Sequence, residues 1–130
     1  MLDSEKIKFI LEKRSLGSYA NNSRWEEFFD SLESFDHTLR VRVKIISVDS
    51  ASDWSRWLIP VPGCFEHTRV GPMKFNCIEW LDIETMYEKH LGHIVSPETI
   101  NVQEDVKKII IESKLTANYE EKYIRVWGYK

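Results

Sequence analysis

The sequence predicts an α+β domain with two N-terminal helices, a mainly antiparallel sheet of four to five strands, a late helix and a C-terminal strand. Three observations predict it. Apolar residues recur at a helical period as far as Leu32, and from Leu39 the period falls to two. The helical period returns between Val102 and Ile110. The intervening stretch 39–84 holds three of the five tryptophans, three of the four prolines and both cysteines, as a run of strands and turns covered by flanking helices would.

The bulk composition sets limits. At 130 residues the chain is one domain of ordinary size, able to bury about two-thirds of its unfolded surface without a metal or disulfide staple. Hydrophobic content of 42% against 30% charged residues suits a folded, soluble domain. A formal charge of −3, from 18 basic and 21 acidic side chains, lacks the basic excess that phosphate neutralisation demands, so a nucleic-acid partner is not expected. The longest apolar run, Trp57 to Pro62, is far short of a membrane span, so no membrane partner is expected either. Nothing resembling a signal peptide marks the start MLDSEKIKF, so a reducing cytoplasm is expected, with Cys64 and Cys77 as free thiols and a bridge between them as the alternative.

Asp3 and Ser4 are helix caps for Ile7, Ile10 and Leu11, with a stop at Gly17. Ser23 and Glu26 form a capping box ahead of Trp25, Phe28, Phe29 and Leu32, a stripe that belongs in the core. Leu39, Val41, Val43 and Ile45 then alternate with Arg40, Arg42 and Lys44, a strand with one buried face and a cationic ladder on the other. A second strand is expected over 54–60, with Trp54 and Trp57 on opposite faces. Pro62-Gly63 and Gly71-Pro72 are turn signals that bracket a third strand over 64–70 and open a fourth over 73–83. The fourth is apolar on both sides, as a doubly covered central strand or a bulged one would be. A helical turn is expected over 84–90, closed by Gly92. Asn101 and Glu104 cap a third helix with Val102, Val106, Ile109 and Ile110 inward, and the segment 123–129 closes the chain as a docked strand.

Taken in order, NNSRWEEFFDSL, WLIPVPG, IEWLDI, GHIVSP and IRVWGY resemble a small bacterial family of unknown function with an N-N-x-x-W start and an I-x-x-W/Y-G-Y-like end. The resemblance spans most of the chain and implies a cytoplasmic bacterial domain without an assigned reaction. By size and acidity it is similar in character to immunity proteins that neutralise toxins.

No nucleotide loop, nucleophile elbow or zinc-finger spacing is present. The expected function is therefore a non-catalytic protein-binding domain of immunity or regulatory type, with no cofactor. Its candidate contacts are Trp54, Arg56, Trp57 and Phe65, which mix residue types found in interface hot spots, and the ladder Arg40, Arg42 and Lys44, which suits an acidic partner. The alternative is a small metal-dependent hydrolase. It would gather Glu66, His67, His90 and His93 around one ion, although the His90–His93 spacing lacks the helical context of known zinc sites. Glu79, Asp82 and Glu84 lie along one strand end, where a general acid would need a desolvated carboxyl.

Overall fold

One-sided burial explains most of what forms. The computed structural model describes residues 3–35, 39–55, 58–61, 64–67, 71–90, 92–93 and 95–130, with the backbone alone at 58–61, 65–67 and 71–72. Helix α1, Ser4–Arg14, is capped by Asp3, whose carboxylate accepts from the Lys6 amide at 2.9 Å. It ends a turn before the expected Gly17, because Ser15 takes the left-handed conformation (φ 55°) that terminates it. Gly17 instead exchanges main-chain hydrogen bonds with Lys130, each at 3.0 Å, fastening the chain's two ends together.

Helix α2, Asn22–Glu33, is capped by Asn21, which accepts from the Arg24 amide at 2.9 Å; the Ser23–Glu26 box lies inside the helix. Trp25, Phe28 and Phe29 are buried as expected, and Phe29 stacks on Phe75 with centroids 5.3 Å apart.

The strands, in chain order, are β1 Val41–Ile45, β2 Leu58–Val61, β3 Cys64–His67, β4 Gly71–Lys74, β5 Ile78–Glu84, β6 Met86–Lys89, β7 Glu98–Asn101, β8 Thr116–Tyr119 and β9 Tyr123–Trp127. Helix α3, Gln103–Glu112, precedes β8, and the Asn101 side chain accepts from the Gln103 amide at 3.0 Å at its start. The principal sheet is antiparallel throughout, in the order β1-β5-β9-β8. Two smaller antiparallel sheets are β2-β3-β4 and β6-β7. Among the described residues no helix is long and apolar enough to cross a membrane.

Several boundaries differ from expectation. The second strand starts at Leu58, and Ser55 is instead bridged to Val41. Gly71-Pro72 is not a reversal but the start of β4, at the edge of its sheet among the described residues, the position in a sheet where proline is tolerated. The long fourth strand is divided by a 3-10 turn, Phe75–Cys77, that separates β4 from β5. The expected helical turn over 84–90 is strand β6, held by β7. The Pro62-Gly63 turn lies outside the described residues.

The core lies between the helices and one face of the principal sheet. Val41, Val43, Leu81, Ile83, Ile124 and Val126 meet Ile7, Trp25, Phe28, Phe29, Val106 and Ile110 there. The C-terminal strand is interior, flanked by β5 and β8, as its apolar alternation required. Just beyond it, the chain passes so close to β5 that a Cβ on Gly128 would lie 2.1 Å from the Ile78 carbonyl oxygen.

Candidate functional site

The face of the sheet turned away from the helices carries the chemistry. Period-two alternation that sends valines and isoleucines inward sends Arg40, Arg42 and Lys44 outward from β1 and its approach, Trp80, Asp82 and Glu84 from β5, and Tyr123, Arg125 and Trp127 from β9. Strand register then decides who meets whom: Asp82 stands opposite Arg42 on one side and Arg125 on the other.

Asp82 is the centre. Its side chain is 0% exposed, and it accepts from Arg42 Nε and Nη2 at 3.1 and 2.6 Å and from Arg125 Nε and Nη2 at 2.8 and 3.0 Å. The two arginine side chains retain 28% and 27% exposure, so they reach the surface while bonding the buried carboxylate. Aromatic rings hold them in place. Arg125 lies 3.7 Å over Trp80, Arg42 lies 4.7 Å over Trp54, and Trp54 meets Tyr123 edge-on at 6.4 Å. Trp80 is buried without joining the core cluster, and the guanidiniums of Arg42 and Arg125 lie over its ring.

Two further ion-pair groups flank this triad. Arg40 pairs with Glu84 through two guanidinium nitrogens. Glu79 is only 5% exposed and occupies the point where the β1–β5 register slips, between the pairs Lys44–Trp80 and Ile45–Ile78. It accepts from Lys44 Nζ at 3.0 Å and from Arg14, which reaches over from α1. Burial by itself would raise the Glu79 carboxyl, but the hydrogen bonds and charges of Arg14 and Lys44 outweigh it and hold the group below the usual carboxylate range. Hydrogen bonds to their carboxylates raise Arg14, Arg40 and Arg125, against the opposing effect of burial. A general acid needs the opposite displacement from the one Glu79 shows.

The cationic ladder is thus internally paired. Arg40, Arg42 and Lys44 face Glu84, Asp82 and Glu79, so the two charge series seen separately in the sequence are one cross-strand ladder. Five cations share three directly bonded carboxylates, and Asp49 and Glu120 lie near enough to act on Arg14 and Arg125.

Of the other candidates, Trp54 lies on this face, while Arg56 and Trp57 lie outside the described residues. Phe65, Glu66 and His67 belong to β3, with side chains outside the description. His90 and His93 are exposed in the segment after β6. Among the described residues no three His, Cys, Asp or Glu side chains converge as metal ligands would. Cys64 and Cys77 are free thiols, and burial pushes Cys77 upward.

These features define an α+β domain with helices on one face of an antiparallel sheet and a paired guanidinium and aromatic surface on the other. The chain belongs to the family of unknown function DUF6678, whose model matches residues 7–130. No curated protein and no solved structure matches it.

Proposed function

We propose that the protein is a non-catalytic binding domain of the cytoplasm, of immunity or regulatory type, that engages an acidic segment of a protein partner through the outer sheet face. One observation carries this reading: Arg42 and Arg125 are clamped by a fully buried carboxylate and by Trp54 and Trp80, yet both side chains stay partly exposed. Arginine and aromatic side chains held rigid before contact lose little freedom on binding, which is the chemistry of hot spots. The gathering of Arg40, Arg42, Lys44 and Arg125 on one sheet face favours a partner contributing Asp or Glu side chains.

The test is affinity capture from the native host with three baits. Wild type and the control Lys8→Ala, altered on the exposed side of α1, are expected to retain the same acidic partner. Trp54→Ala combined with Arg40→Ala is expected to lose it. A partner retained equally by all three baits, or a basic partner, overturns the assignment.

A further inference from the structure

The two edges of the principal sheet are treated differently. At β1 the outward main-chain groups are occupied. Val41 donates to the Ser55 carbonyl at 2.8 Å and accepts from the Ser55 amide at 2.9 Å. The Val43 amide donates to Ser52 Oγ at 3.1 Å, and its carbonyl accepts from the Ser52 amide at 2.9 Å. The Ile45 carbonyl accepts from the Val48 amide at 3.0 Å. A loop stands in for a neighbouring strand.

The opposite edge, β8, has no such cover among the described residues. The Glu120 amide donates to the Tyr123 carbonyl at 2.9 Å, and this fixes the phase of the β8–β9 ladder. Asn118 and Thr116 therefore bond inward to β9, while Ala117 and Tyr119 turn their N–H and C=O groups outward. The sequence Thr-Ala-Asn-Tyr carries none of the lysines, prolines or bulges that normally blunt an edge. Exposed apolar residues flank it. Tyr119 is 42% exposed, with Lys107 Nζ of α3 5.3 Å over its ring, and Ile111, one helical turn beyond Lys107, is 61% exposed.

We infer that this edge is a homodimer interface, with β8 pairing antiparallel to β8 of a second copy about a twofold axis at Asn118. The sequence fits itself in that register. Ala117 faces Tyr119 of the second copy, so both outward residues of each strand form hydrogen-bonded pairs, and a small side chain sits beside a large one. Asn118 meets its own counterpart, no like charges oppose each other within β8, and the neutral strand offers nothing to select a charged peptide instead. The twofold runs normal to the sheet, so both copies present the Arg42–Asp82–Arg125 face on the same side of one continuous sheet. The pairing does not depend on the binding role proposed for that face.

Sedimentation tests association, and cysteine placement tests register. Wild type is expected to sediment as a dimer that dissociates on dilution. Ile111→Lys, at an exposed site, and Ala117→Pro, which removes only an outward N–H, are expected to be monomeric with unchanged circular dichroism. In a Cys64→Ser background, Asn118→Cys is expected to form an intermolecular disulfide on oxidation, since directly opposed non-hydrogen-bonded residues have Cα atoms about 4.5 Å apart. Thr116→Cys, which faces Glu120 of the second copy, is expected not to. A wild type monomeric at every concentration overturns the inference. So does a dimer untouched by Ile111→Lys, or equal cross-linking of both cysteine variants.

Discussion

Replacing the two arginines of the Asp82 triad by methionine, singly and together, separates what each cation contributes from what their joint presence prevents. In Arg42→Met, Asp82 keeps both hydrogen bonds from Arg125, at 2.8 and 3.0 Å, and the thioether still covers Trp54. Losing charge-assisted bonds from a group that is partly solvated is expected to cost about 1–2 kcal/mol. Arg125→Met also removes the 3.7 Å stacking on Trp80, so about 2–3 kcal/mol is expected. The double variant differs in kind. It leaves a carboxylate at 0% side-chain exposure without either of the cations bonded to it, and an uncompensated buried charge costs about 3–5 kcal/mol by itself. Because that cost appears only when both cations are gone, the double variant should be less stable than the sum of the singles by more than about 1 kcal/mol, and adding Asp82→Asn should recover most of that excess. Urea unfolding at pH 7, followed by circular dichroism, measures all four variants. Additivity within about 0.5 kcal/mol, with no recovery on Asp82→Asn, would refute the reasoning.

Because the Glu79 carboxyl is held below its ordinary value of 4.5, the unfolded chain binds its proton more readily than the folded one. The stability it contributes is present above that value and is lost as pH falls through the folded value, so Glu79→Gln should flatten the pH dependence of the urea midpoint below pH 4.5; parallel profiles would count against this. Gly128→Ala drives a Cβ to 2.1 Å from the Ile78 carbonyl, where backbone meets backbone and nothing flexible can give, so a loss above about 4 kcal/mol or no soluble protein is expected. An unchanged melting point for that variant would place the crossing of Gly128 and β5 elsewhere. Deleting residues 124–130 removes the strand between β5 and β8, and the product should be insoluble or lack cooperative unfolding; a cooperative transition at the wild-type midpoint would show that this strand is dispensable.

The elements readable in the sequence are those buried on one side. α2, β1 and β9 each show a clean period because one face meets the core and the other does not. β6, β7 and β8 are four residues each with none of them buried, so their partners more than their own side chains hold them, and no period marks them. β5 reads as covered on both faces, and it is buried from Ile78 to Ile83. Among the described residues its outer cover, however, is made of arginine and tryptophan side chains. The site was half visible. Arg40, Arg42 and Lys44 and the carboxylates Glu79, Asp82 and Glu84 each stand out as a series, but their pairing depends on a register between strands some forty residues apart. Arg125, which completes the triad, becomes meaningful only once β9 is placed beside β5.

The binding role of the outer face is tested most directly by the indole N–H signals of the five tryptophans during titration with an Asp- and Glu-rich peptide, against a Lys-rich peptide as control. Trp54 and Trp127 flank Arg42 and Arg125, whereas Trp25 is sealed beneath α2 at 2% exposure. Saturable shifts at Trp54 and Trp127 with the acidic peptide alone, and none at Trp25, are the expected result. No shift with the acidic peptide, or equal shifts with both peptides, would contradict it.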